Sequence, residues 1–110
     1  MDIERFRSLL EQKALELEKQ IEQGRDAARP VELDQGRVGR LSRMDAMQEQ
    51  AMSAESQRRR KLHLTRVRTA LTRIEDGAYG ACLECGEPIA DRRLEHDPAA
   101  TLCIQCARSR

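Results

Sequence analysis

Four cysteines in two CxxC pairs, Cys82/Cys85 and Cys103/Cys106, with seventeen residues between the pairs, constrain the fold of this chain more than any other feature. Two intervening residues let one tight turn present both thiols of a pair to one point. An insert of this length lets a second turn complete a tetrahedron, which is the spacing of four-cysteine zinc sites. Four thiolates close the metal's shell and leave no position for a reactive water, so the expected cofactor is one structural Zn2+ on Cys82, Cys85, Cys103 and Cys106. Gly86 directly after Cys85 suits the left-handed turn that aims N–H groups at a ligating sulfur. Ile89, Leu94 and Leu102 are the expected small core, with a short helix from about Cys103 to Arg108, and His63 and His96 are read as nonligands. A pair of thiol/disulfide motifs is the competing reading, although neither CxxC lies in a βαβ context. Oxidation of zinc-bound thiolates, a redox switch, also stays open.

The rest of the chain decides what such a module is attached to. Of 110 residues, 35% are charged, with a single Phe, a single Tyr and no Trp, so a broad globular core cannot be filled. Burial must come from a narrow seam. Ile3, Phe6, Leu10, Ala14, Leu17, Ile21 and Ala28 follow one another in steps of three and four, with Gly24 as a gap, which is a coiled-coil seam. Pro30, Gly36 and Gly39 then mark a turn. A second helical stretch carries Leu41, Met44, Met47, Ala51 and Met52 early, read as soft seam packing, and Leu64, Val67, Leu71 and Ile74 late. Between Ala54 and Leu62 the repeat breaks and places Glu55 and Arg58 or Arg59 in the seam. The expected architecture is mainly α: an antiparallel helical hairpin over 1–76 (helix about 2–28, tip loop about 29–40, helix about 41–76), followed by a four-cysteine zinc module over 77–110. The N-terminal "MDIERFRSLL" has no leader-like apolar core, and no run approaches the roughly 20 apolar residues that span a bilayer. The expectation is a cytoplasmic monomer with no membrane contact.

Hairpin, turn and "DGAYGACLECGEPIADRRLEHDPAATLCIQCA" together resemble the DksA/TraR family of bacterial transcription regulators. The likeness is most specific in "YGxCxxCGxxI", "RRLE", Pro98 and "LCIxC", and it covers about residues 1–107. It implies a noncatalytic protein that binds RNA polymerase directly, inserting the hairpin tip into the enzyme's secondary channel to modulate initiation. Longer members carry DxxDxA at the tip. Here "SRMDAM" keeps Asp45 as the second aspartate, with Ser42 in place of the first and Met47 in place of the alanine; Ser42, Arg43 and Asp45 are thus the implied polymerase-contacting tip. The N-terminal extension and most of the C-terminal tail of longer members have no counterpart. Arg59 and Arg66 match positions that are basic in longer members, but two others associated with the nucleotide ppGpp fall on Asp97 and Ala107. Binding of ppGpp is therefore discounted.

Charge agrees with a protein partner. The net charge of +1 argues against a protein that coats nucleic acid. Between Ser56 and Arg73 stand Arg58, Arg59, Arg60, Lys61, Arg66, Arg68 and Arg73 with no acidic residue. A wet helix face with weak ion pairs to Glu11 or Glu16 accounts for some of them. A docking face for an acidic partner, built on Arg59, Arg66, Arg92 and Arg93, is the functional reading. One of Arg92 and Arg93 also suits capping of the module's own carbonyls. A sequence-specific DNA-binding zinc finger is the alternative, but the segment after Cys103 offers only Arg108 and Arg110, so no such DNA contact is expected. A thiol-based redox sensor is the other alternative. No nucleophile and base pair suggests an enzyme.

Overall fold

The computed structural model describes residues 1–26 and 40–109, with side chains from residue 43 onward in the second segment. Four helices follow in order: α1 Ile3–Gly24, α2 Arg40–Glu75, α3 Asp91–His96 and α4 Ile104–Arg108. Among the described residues there is no strand, only an isolated antiparallel bridge between Ala81 and Pro88. Most of the tip loop expected over 29–40 lies outside the described residues, as does Ala28. α1 ends at Gly24 rather than continuing to about residue 28, and Arg25 and Asp26 form a turn. α3 was not expected; it lies in the insert between the cysteine pairs.

Contacts group the chain into two compact units, Met1–Glu16 with Leu64–Arg110, and Leu17–His63. In the first, α1 is capped by Asp2, whose Oδ1 accepts from the Arg5 N–H at 3.2 Å. The face of α1 carrying Phe6, Leu10 and Ala14 is buried, as is the α2 face carrying Leu64, Val67, Ala70 and Ile74. Fully burying a side chain such as Leu10 or Val67 contributes about 1.5–3 kcal/mol. α2 stops in a Schellman turn: Gly77 sits at φ 74°, its N–H donates to the Ile74 carbonyl at 3.1 Å, and the Ala78 N–H donates to that of Arg73 at 2.9 Å. The cysteine module then packs on the root of the hairpin. Phe6 joins Cys82, Ile89, Leu94 and Ala100 in one apolar cluster, with Tyr79 and Leu102 against it. The rings of Phe6 and Tyr79 lie 5.9 Å apart at 52°. Arg5 reaches Glu95 at 3.2 Å, an exposed pair that contributes about 1 kcal/mol or less.

In the second unit the helices again run antiparallel, with Gln57 of α2 opposite Ile21 of α1. Here the seam differs from the expected one. Met44, Met47 and Met52 are 59%, 53% and 66% exposed, so they face outward and do not pack in the seam. Arg43, Ala46, Gln50, Ser53, Gln57 and Arg60 are buried or half-buried and continue the Leu64–Val67 spacing backward in steps of three and four, with Ala54 and Glu55 half-buried beside that stripe. The buried position in the interval is Gln57, at 4% exposure, not Glu55, Arg58 or Arg59. Its Nε2 donates to the Ile21 carbonyl at 2.6 Å, and its Oε1 accepts from Arg60 Nη1 at 2.9 Å. Gly24 is there for space: a Cβ on it would stand 2.9 Å from Gln57 Oε1 and 3.0 Å from Arg60 Nη1.

Candidate metal centre

The chain enters the module from α2 through a clamp. Arg73, in the last turn of α2, donates from Nη2 to the carbonyls of Ala78 at 3.0 Å and Ala81 at 2.7 Å. That fixes the approach to Cys82. The first CxxC turn closes between two short backbone runs: the Cys82 N–H donates to the Glu87 carbonyl at 2.8 Å, the Gly86 N–H to the Cys82 carbonyl at 3.0 Å, and the Ile89 N–H to the Gly80 carbonyl at 2.7 Å. Gly86 takes φ 76°, a conformation a side chain would strain. The second CxxC opens α4, where Cys103 is the N-cap and its sulfur accepts from the Cys106 N–H at 3.5 Å. The Leu83 N–H donates to the Thr101 carbonyl at 2.9 Å, tying the two turns together. Tyr79 braces them from below by donating its hydroxyl to the Pro98 carbonyl at 2.7 Å.

These elements bring the four cysteine sulfurs within 4.8 Å of one another. Cys85 Sγ and Cys103 Sγ are 3.7 Å apart. A disulfide would need about 2.05 Å. A tetrahedron of thiolates at a Zn–S distance of about 2.3 Å has edges of about 3.8 Å, close to the separation of Cys85 and Cys103. The residues therefore fit zinc, and the four thiolates hold a structural zinc ion. Among the described residues neither histidine joins the group.

The thiols are electrostatically unequal. The N–H groups of Cys85 and Cys103 converge on the Cys82 sulfur and pull its pKa down to about 6. For Cys85 the Glu87 N–H acts in the same direction, but the neighbouring thiols of Cys82 and Cys103, with desolvation, raise it overall. Cys106 is pushed up by the thiols of Cys103 and Cys82. Four acidic groups this close oppose one another's ionisation, and a divalent cation bound among them removes that opposition while protons leave.

The other expected site residues are dispersed. Ser42 and Arg43 lie in the first turn of α2 and Asp45 just beyond, exposed. The Nε of Arg43 is buried with no hydrogen-bond partner among the described residues. Arg59 donates to Glu55 at 3.2 Å and Arg58 to the same carboxylate at 2.7 Å, so these pairs lie along one helix. The Arg58 guanidinium foremost, then Arg59, holds Glu55 down at about 2. Arg66 and Arg92 are exposed; Arg93 caps the Leu102 carbonyl through Nε at 2.9 Å. Sequence reasoning missed Arg73 and Tyr79 as supports of the metal turns. The only available signals were a basic residue in the last helical turn and a lone tyrosine beside the first cysteine.

Residues 77–110 match the family model described as the prokaryotic dksA/traR C4-type zinc finger. The RNA polymerase-binding transcription factor DksA of Caulobacter vibrioides is 50% identical over 48 residues, 44% of this chain and 33% of that protein. Its Escherichia coli K12 namesake is 42% identical over 64 residues, 56% of this chain and 42% of that protein. The matched stretch thus spans less than half of either curated relative. Among solved structures, transcription factor DksA2 from Pseudomonas aeruginosa superposes with a TM-score of 0.77 at 32% identity, covering 97% of this chain and 81% of that one. Helical hairpin, four-thiolate centre and likeness along nearly the whole chain agree: the chain belongs to the DksA/TraR family.

Proposed function

We propose that this protein is a noncatalytic regulator that binds RNA polymerase and modulates initiation, with the hairpin end around Ser42, Arg43 and Asp45 entering the secondary channel. The observation that carries the reading is the likeness to transcription factor DksA2 along nearly the whole chain. The names of the curated relatives, RNA polymerase-binding transcription factors, supply the partner. Zinc supplies cross-linking of the two CxxC turns. The protein's own residues do the rest: the turns hold Ile89, Leu94 and Ala100 against Phe6, which pins the start of α1 to the module that follows α2. A hairpin held at its root keeps its register when its other end meets a partner.

Arg59, Arg66 and Arg92 are the proposed docking cations, with Arg93 offering only the guanidinium nitrogens left over from Leu102. Charges of one sign on a helix steer association with an acidic partner and fix its register. The protein acts in the cytoplasm as a monomer, without ppGpp and without reading promoter sequence. No described helix is long and apolar enough to cross a membrane. Native mass spectrometry or gel filtration of the zinc-loaded protein with core RNA polymerase tests the reading. A one-to-one complex is expected; absence of a complex, or binding to duplex DNA alone, contradicts it.

A further inference from the structure

The first half of α2 is built inside out. Its sheltered stripe, Arg43, Ala46, Gln50, Ser53 and Gln57, is polar at every position but Ala46, while Met44, Met47 and Met52 stand more than half exposed and Ala51 is exposed among them. At about 100° per residue the methionines and Ala51 fall within an arc of roughly 140°, centred roughly 160° around the helix from the stripe. An apolar arc on the solvent side is the reverse of what packing against the hairpin's own partner helix produces. Single apolar residues on a surface need no explanation, but a contiguous group on one side of adjacent turns marks a surface that meets something. Methionine suits such a contact, because an unbranched thioether side chain repacks against an irregular partner.

Position and charge identify the occupant. Met44 stands between Arg43 and Asp45, and Met47 two positions beyond Asp45, so the face begins on the turns proposed above to enter the secondary channel. A hairpin end inside a channel is surrounded, and the solvent side of those turns meets the channel wall. A groove of about 380 Å³ continues the face, lined by Ala51 and Met52 and by Glu55 and Arg59, whose 3.2 Å ion pair leaves it without an unbalanced charge. We propose that Met44, Met47, Ala51 and Met52 form a docking surface for an apolar strip on the wall of RNA polymerase that surrounds the hairpin end, which rests on the reading of the hairpin given above. The cations of α2 steer the approach, and the methionine face holds the complex once it has formed.

The test measures binding of the zinc-loaded full chain to immobilised core RNA polymerase by biolayer interferometry across a salt series. Met44→Gln/Met47→Gln/Met52→Gln keeps side-chain length and helix propensity and is expected to weaken affinity at least about tenfold through a faster off-rate, with the salt dependence unchanged. Met44→Leu/Met47→Leu/Met52→Leu should stay within about fivefold of the parent. Arg59→Gln, by contrast, should slow the on-rate and flatten the salt dependence. Both triple variants should keep the parent's far-UV circular dichroism and zinc content. Should the glutamine variant lose helix, hydroxyl-radical footprinting of the parent decides: Met44, Met47 and Met52 are expected to oxidise at least about threefold more slowly in the complex than in the free chain, since an interface core excludes solvent. Equal affinity of parent and glutamine variant, or methionines unprotected in the complex, overturns the proposal and leaves the polymerase reading standing. A parent chain that does not bind polymerase overturns both. A dimer of the free chain in sedimentation equilibrium that the glutamine variant abolishes assigns the face to a second copy and overturns the proposal.

Discussion

Replacing Gln57 with alanine isolates the polar layer between α1 and α2. Gln57 is 4% exposed and donates to the Ile21 carbonyl at 2.6 Å. Because α1 ends at Gly24, that carbonyl is among those a helix terminus leaves without a partner of its own. Truncation leaves it sheltered and unpaired, at a cost of about 1–3 kcal/mol, and strands Arg60 as well. The better helix propensity of alanine returns no more than ~0.5 kcal/mol. The net loss is roughly 0.5–2.5 kcal/mol, or a Tm lowered by roughly 2–20 °C in a chain of this size. Urea and thermal unfolding of the zinc-saturated protein, followed by far-UV circular dichroism, measure it. Gln48→Ala, exposed on the same helix, is the control and should stay within about 0.5 kcal/mol of the parent. Gly24→Ala completes a cycle: its Cβ would stand 2.9 Å from Gln57 Oε1, so alanine there is more favourable in the Gln57→Ala background than in the parent, by at least about 0.5 kcal/mol. A Gln57→Ala change no larger than the control, or a Gly24→Ala effect equal in both backgrounds, refutes the reasoning.

Spectrophotometric titration of the single tyrosine should place Tyr79 near 12, because burial foremost, then Asp97, favours the neutral phenol. With the folded value above the ordinary one, its stabilisation is complete below pH 10 and is lost as the pH rises through about 12; a midpoint at 10 contradicts this. Arg73→Met leaves the carbonyls of Ala78 and Ala81 without their donor, and stability should fall by about 1–3 kcal/mol while a competing chelator strips zinc faster; unchanged zinc loss would separate the clamp from the metal site. Elemental analysis should find one zinc per chain, and its removal should expose Tyr79 to fluorescence quenchers. Asp45→Asn should weaken the effect on transcription while polymerase affinity falls no more than about fivefold, since one exposed charge contributes about 1 kcal/mol or less; equal loss of both would make Asp45 a docking residue.

The sequence announced its structure where burial and apolarity coincide. Phe6, Leu10, Ala14 and Leu17 are buried as their three-and-four spacing implies, and so are Leu64, Val67 and Ile74. The metal centre was legible for a different reason: CxxC geometry is local, and the ligand residues declare their own chemistry. The first half of α2 was not legible. There the seam is Ala46, Gln50, Ser53 and Gln57, so apolarity points to the exposed Met44, Met47 and Met52. Counting backward from Leu64 in steps of four and three finds the true stripe, but only for a reader willing to bury a glutamine. α3 was hidden because a six-residue helix with one buried residue, Leu94, has no periodicity to detect. The clamps from Arg73 and Tyr79 join side chains to backbone carbonyls, and residue identity says nothing of which carbonyl will be near.

A photo-crosslinking residue at position 45 of the zinc-loaded chain, activated in the presence of RNA polymerase, asks most directly where the hairpin end goes. Adducts on the catalytic subunits, lining the secondary channel close to the active centre, are the predicted result. Adducts confined to the enzyme's outer surface, or found only on duplex DNA, would contradict the account.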